Sequence, residues 1–443
     1  MSSLVQEDAT PIEDVGQLSA WMAAGAKPAE RWVVGTEHEK FGWWPDLQTF
    51  PTFDGPRGIG VLLERIAATG QWQVTREGAD IIALSRNKAT ITLEPAGQLE
   101  LSGAPLRTLD EVAQELDAHL TELAGFSADL GIVWSGLGYA PTGTPETWPR
   151  VPKARYGIMR RYLPTRGALA LHMMHGTCSI QANYDFSNES DAMAMLRLGL
   201  KMQPLVMAAF ANSTVGQGAL LPERVFRARI WEATDNDRYQ YPARLLAGDA
   251  GFADYVEWAL GVPMFFVMRD GRYRECGGMT FAHFLEVGFE GQRATVGDFG
   301  LHLSTLFPDA RLKQHLEVRG ADMGTRDDVV AVPALHMGLF YDKPTLAQAL
   351  ELLEPVDFKA LLDYRTVVAT DGLHGHLAGR PGRDWLLDLL ALAHQGLTRW
   401  QPGGERYLAK LTERVAAGRC PADDIRETFT GDVGALMMAH RIA

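Results

Sequence analysis

Strict alternation of apolar and polar positions marks several short segments of the chain, and apolar positions spaced three and four apart mark the stretches between them. The longest alternation, TCSIQANYDF from Thr177 to Phe186, sets Thr177, Ser179, Gln181, Asn183 and Asp185 on one face of a strand and Cys178, Ile180, Ala182, Tyr184 and Phe186 on the other. Val33–Trp44, VVGTEHEKFGWW, starts apolar and then places Glu37 and Glu39 on one face and His38 on the other. A β region is expected from Trp72 to Ser102. Within it, TITLEPAGQLELS reads as two strands joined by Pro95-Ala96-Gly97. Thr90, Thr92 and Glu94, then Gln98, Glu100 and Ser102, lie opposite the apolar Ile91, Leu93, Leu99 and Leu101. VFRARIW, Val225–Trp231, reads as a further strand with Arg227, Arg229 and Trp231 on one face. Phe265–Tyr273 reads as a hairpin turning at Asp270-Gly271, and HLEVR, His315–Arg319, aligns Glu317 with Arg319.

Helical spacing predicts a short helix over 12–24 and another around Ile59–Thr69. A long helix follows, capped by Thr108, with Asp110 and Glu111 in its first turn and Leu109, Val112, Leu116, Leu120 and Leu123 along one stripe. Ser190–Asn212 reads as a helix whose Met193, Met195, Met202 and Met207 fill a core. Beyond HLEVR the chain is expected to be mostly helical, over roughly 345–362, 384–400, 405–418 and 422–429. Pro141–Pro152 and the Gly-rich Asp371–Arg383 read as loops, the second a candidate lid. Strands with polar Glu, Arg or amide faces and apolar reverse faces describe an α+β fold, with a mostly antiparallel sheet, helices behind it and a reaction surface in front. No linker or repeat divides the 443 residues, which read as a single catalytic domain, 1–443, with a mostly helical C-terminal part at about 345–443.

Composition narrows the partners. A net charge of −13 argues against nucleic acid or an anionic membrane, and no apolar run approaches a membrane span. The N-terminus, MSSLVQEDATPIEDV, is acidic and unlike a signal or transit peptide. Cys178, Cys276 and Cys420 are few, scattered and without CxxC spacing. A cytoplasmic protein, monomer or homodimer, acting on small molecules is expected.

Two carboxylates two residues apart on a strand repel one another. Glu37 and Glu39 are therefore either a solvated strand edge or part of a hard-cation site of oxygen ligands, as for Mg²⁺ held against nucleotide phosphates. Glu94 and Glu100 invite the same two readings. VPKARYGIMRRYLP (151–164) concentrates Lys153, Arg155, Arg160 and Arg161 in an acidic chain, as an anion site or as a solvated helix face. An Arg fixed on a strand, such as Arg227, offers a rigid fork for a carboxylate or phosphate. GxxxxGK[ST], GxGxxG after a strand, HExxH and GxSxG are all missing, which removes P-loop, Rossmann, zinc-protease and serine-hydrolase readings.

In order along the chain, VGTEHEKFGW, LEPAGQLELSGAP, TCSIQANYDF, FRARIW followed by ATDNDR, and LEVRGADMG resemble the plant and proteobacterial type of glutamate–cysteine ligase. The resemblance runs from about Pro11 to at least Thr325. It implies a glutamine-synthetase-like sheet forming a bowl, with Mg-ATP at one end and amino acids at the other. It further implies ATP-dependent joining of the glutamate γ-carboxylate to the cysteine amine through a γ-glutamyl phosphate, the first step of glutathione synthesis. Another amine acceptor, or a silent carboxylate-binding relative, are the alternatives. On this resemblance Glu37, Glu39, Glu94, Glu100 and Glu317 are expected around about two or three Mg²⁺ ions, because phosphoryl transfer needs charge neutralisation more than covalent help. Arg227, Arg229 and Arg160 would hold substrate carboxylate or acyl phosphate, and Arg319 would face the phosphates. Thr177, Gln181, Asn183 and Trp231 would line the glutamate pocket. Catalysis is expected to fall to Arg227, Arg319 and Glu39. Two departures stand out: His175 occupies a place where an Arg is expected, and plant members carry a second cysteine shortly after the position of Cys276, where this chain has LEVGFEGQRAT.

Overall fold

The computed structural model describes residues 8–443, so the expectations for residues 1–7 of the acidic N-terminus lie outside it. Nine strands form one antiparallel sheet. They are β1 (Val34–Trp43), β2 (Gln73–Glu77), β3 (Asp80–Arg86), β4 (Ala89–Leu93), β5 (Leu99–Ser102), β6 (Val133–Ser135), β7 (Ser179–Tyr184), β8 (Ala310–Leu312) and β9 (Leu316–Asp322). Their spatial order is β8-β9-β7-β1-β5-β4-β3-β2, with β6 paired to the C-terminal end of β1. The alternating segments thus become the centre of the sheet. Register sets Glu37 opposite both Gln181 and Ser102, Glu39 opposite Glu100, and Glu317 opposite Asn183. All the polar faces therefore coincide on one side.

The reverse side is the core. Ile180, Ala182 and Tyr184 are buried, and the Tyr184 ring meets Phe340 at 5.2 Å and His336 at 6.0 Å on the helix Arg326–Phe340. The Met-rich helix, Glu189–Ala209, is capped by Asn188 and buries Met193, Met195, Met202 and Met207, as its spacing predicts. Thr108 and Glu111 form a reciprocal capping box on Leu109–Ser127.

Three expectations are corrected. VFRARIW is not a strand but the helix Phe226–Glu232, packed against helices and joined to strand structure by a single bridge from Val225 to Ser213. Seven residues with apolar 226, 228 and 230 satisfy either period, and tertiary packing decides. The helix expected over 345–362 is two, Lys343–Leu352 and Phe358–Asp371, because Pro355 ends the first and Asp357 caps the second. The Gly-rich 371–383 is no lid: Leu373 and Leu377 are buried, Trp385 Nε1 donates to the Leu377 carbonyl at 2.8 Å, and the segment borders neither cavity below.

Candidate active site

Two cavities lie end to end along the polar face of the sheet. The first, about 740 Å³ including its open mouth, is lined by Glu39 on β1, Glu94 after β4, Glu100 on β5, Ser179 and Gln181 on β7, and Arg319 on β9. The second, about 780 Å³, is lined by Gly35 and Glu37, Thr90, Ser102, Asn183 and Asp185, and His315. Each central strand serves both cavities, because residues two apart share a face about 7 Å from one another. The boundary runs between Glu37 and Glu39, Asn183 and Gln181, and Ser102 and Glu100.

The first cavity combines acids and arginines. Glu39 accepts the Ser179 amide at 2.6 Å and the Gln181 side-chain amide at 3.3 Å. Burial, then the charges of Glu94 and Glu100, push its carboxyl up to about 8. Glu100 accepts Ser102 Oγ at 2.6 Å and Thr92 Oγ1 at 3.1 Å. Glu94 lies 3.4 Å from the Tyr156 hydroxyl. Opposed to these acids, Arg227 is 2% exposed and donates to the carbonyls of Arg319 at 2.8 Å and Gly320 at 3.1 Å, while its Nε is buried without a partner. A register shift between Val318 and Ala321 bulges β9 and presents those two carbonyls. Arg319 Nη1 donates to Gln181 Oε1 at 2.6 Å.

Glu317 differs from the expectation of a metal ligand. It is fully buried and ringed by Arg311 at 2.7 Å, Lys313 at 2.8 Å and Arg319, which hold its carboxyl well below the usual range against the cost of burial. Its charge is already spent, and it orients Arg311 and Arg319. Glu37, which accepts Asn183 Nδ2 at 2.6 Å, borders the second cavity with Asn183. Arg229 is 60% exposed, 4.0 Å from Glu232 and outside both cavities, because the helical period turns it away from Arg227 and Trp231. Arg160 donates to His175 Nε2 at 2.6 Å and to the Pro145 carbonyl at 3.1 Å, so it anchors the Pro-rich loop and borders neither cavity. Burial, then Arg160, push His175 down to about 3, leaving it neutral and able to accept. Thr177, Gln181, Trp231, Arg227 and Arg319 all line the first cavity.

Arg155, Arg311, Tyr156 and Phe307 also line it and are absent from the expected site residues. Arg155 was visible only as one member of a basic cluster. Arg311 stands opposite Glu317 across a tight hairpin, so reading RLKQHLE as a hairpin would have found it.

Hard oxygen donors on Glu39, Glu94 and Glu100, and the raised carboxyl of Glu39, fit a divalent cation such as Mg²⁺. Among the described residues, however, no three His, Cys, Asp or Glu groups stand close enough to hold one as the side chains lie.

Comparison with known proteins identifies the family. The profile of glutamate-cysteine ligase family 2 matches residues 33–439. A chloroplastic glutamate–cysteine ligase of Brassica juncea is 40% identical over 428 residues, covering 94% of this chain and 81% of that protein. Its counterpart in Nicotiana tabacum is 38% identical over 425 residues, covering 94% and 80%. Among solved structures, a glutamate–cysteine ligase of Francisella tularensis in complex with AMP shares the fold at a TM-score of 0.56 and 14% identity, covering 93% of this chain and 87% of that one. With the family profile spanning nearly the whole chain, and relatives this similar along most of their own length, the chain belongs to glutamate–cysteine ligase family 2.

Proposed function

We infer that the paired cavities are where this chain, a glutamate–cysteine ligase using ATP, activates the γ-carboxylate of glutamate and passes it to the amine of cysteine. The arginine-rich cavity suits the amino acids, whose carboxylates Arg227 and Arg155 would receive. The second, with Lys27, Lys88 and the apolar Val33 and Pro105, suits the nucleotide. The observation that carries this reading is that both cavities share the same strands, so that a phosphoryl group would pass from one to the other across Glu37–Glu39, Asn183–Gln181 and Ser102–Glu100.

A carboxylate resists attack by an amine until one oxygen is made a leaving group. The γ-carboxylate oxygen attacks the terminal phosphorus of ATP, giving γ-glutamyl phosphate and ADP. The cysteine amine then attacks the acyl carbon and expels phosphate, losing its proton as the amide forms. Arg319, fixed by Gln181 and Glu317, would stabilise charge on the transferring phosphoryl group. Arg227 would hold the glutamate in line, and the buried apolar wall of Trp231, Phe307 and Met173 would exclude water that could hydrolyse the acyl phosphate. Glu39, Glu94 and Glu100 are the residues that would hold Mg²⁺; when bound, it supplies neutralisation of phosphate charge. Three buried, unpaired thiols support a reducing, cytoplasmic setting, and no helix among the described residues is long and apolar enough to cross a membrane.

The test is ADP release with glutamate and each of several amines, run with ¹⁸O in the γ-carboxylate. Cysteine-dependent release with ¹⁸O in the phosphate supports the reading. Release with a different amine transfers it to another acceptor, and silence with every amine would leave only a binding role.

A further inference from the structure

Arg365 lies on the helix Phe358–Asp371, in the C-terminal part of the chain whose sequence carries no chemical signature. It is nonetheless 5% exposed, and its partners Asp309 and Tyr239 contact residues that line the first cavity. Its Nη2 donates to Asp309 Oδ2 at 2.7 Å. Its guanidinium lies over the rings of Tyr239 and Tyr241, 5.2 and 5.1 Å from their centroids. Asp309 also accepts the Tyr239 hydroxyl at 3.3 Å, and its carbonyl takes the Arg319 amide at 2.9 Å. Tyr239 in turn stacks on Trp231, at 6.0 Å and 19° between planes, and Trp231 packs on Phe307 at 5.5 Å. Trp231, Phe307 and Arg319 all face the cavity.

A buried cation with one short charge-assisted contact and two aromatic faces is held in a single orientation, and so are the groups it touches. We propose that Arg365 is a positioning residue for the amino-acid cavity. Through Asp309 it fixes the start of the β8–β9 hairpin at the Arg319 amide, and through Tyr239 it fixes the Trp231 wall. The C-terminal helices thereby set the geometry of substrate recognition while contributing no group to the cavity. The proposal rests on glutamate occupying the first cavity.

The test compares steady-state kinetics of Arg365→Gln, Asp309→Asn, their double variant and Arg365→Lys, with Arg227→Lys as the control on where glutamate binds. Arg365→Gln should raise the glutamate KM about tenfold, with the ATP KM within about twofold, as expected when one charge-assisted contact is lost. Because both residues act through one contact, the double variant should be no worse than the worse single. Arg365→Lys keeps the charge without the planar fork, so it should fold well and recover part of the glutamate KM. A folded Arg365→Gln or Arg365→Lys enzyme with unchanged glutamate KM, an equal rise in ATP KM, or additive effects in the double variant would overturn the proposal. If Arg365→Gln fails to fold, Tyr239→Phe, which removes only the hydroxyl on Asp309, replaces it and should raise the glutamate KM about threefold; no rise would count against the proposal. An Arg227→Lys variant with normal glutamate KM would instead refute the substrate assignment itself.

Discussion

Glu39 is the residue on which metal, substrate and stability meet. Its carboxyl is pushed up to about 8, by burial first and then by Glu94 and Glu100. Folding therefore strengthens its hold on a proton. The stability this lends is present below the ordinary carboxylate value, about 4.3, and is lost as pH rises toward 8. Glu39→Gln keeps the shape and removes the charge. It should match the parent's melting temperature below about pH 4 and exceed it increasingly up to about pH 8, while turnover at saturating Mg²⁺ falls by about two orders of magnitude or more. Mg²⁺ should raise the melting temperature of the parent at pH 8 more than that of Glu39→Gln. Near-normal turnover, or an equal response to Mg²⁺, would remove Glu39 from the metal site. Arg227 makes the complementary case. Its two Nη groups hold the carbonyls of the β9 bulge, so Arg227→Lys should lose about 1.5–3 kcal/mol of glutamate binding, seen as a raised glutamate KM with ATP little changed. A loss shared equally with ATP would move Arg227 to the phosphates.

At the scale of elements, alternation was informative where a segment joined a strand ladder and misleading where it did not. β4, β5 and β7 follow the sequence because each runs for several residues with one apolar face on the core. VFRARIW has the same pattern but pairs only through one bridge, Val225 to Ser213, and it folds as a helix. Arg227 and Trp231 survive that error because positions four apart also share a helix face, whereas Arg229, two along, turns to solvent. The bulge at Arg319-Gly320 was not legible, since one extra residue leaves no mark on a short alternation. It is held by close approach: a Cβ on Gly320 would stand 2.4 Å from Gln203 Oε1, the atom that accepts the Gly320 amide at 2.9 Å. Gln203 is fully buried, between Gly320 and His336. Gly320→Ala should therefore cost about 1–3 kcal/mol in denaturant unfolding and lower turnover beyond that loss by shifting the carbonyls that hold Arg227. A variant equal to the parent in both measurements would show that Gln203 yields without moving the bulge.

Over the whole molecule, the sequence supplied the strands and most of the acids but not the division of one face into two cavities. That division depends on which long side chains, Arg155 and Phe307 among them, rise from other elements to enclose the face. The same long-range placement decides the redox behaviour. Cys276 has no nearby cysteine to pair with, since LEVGFEGQRAT contains none. The fold could have supplied a partner by bringing Cys178 or Cys420 alongside, but all three thiols are buried and unpaired. Burial pushes Cys276 and Cys420 up to about 12 and raises Cys178 as well. Thiolate, the reactive form, is thus scarce near neutral pH at each of them, and oxidant has little access. Treatment with diamide or hydrogen peroxide, followed by dithiothreitol, should leave activity and the elution volume on size exclusion unchanged within about twofold and within error, respectively. A reversible change in either, abolished by Cys276→Ser, would show that the chain opens enough in solution to expose that thiol.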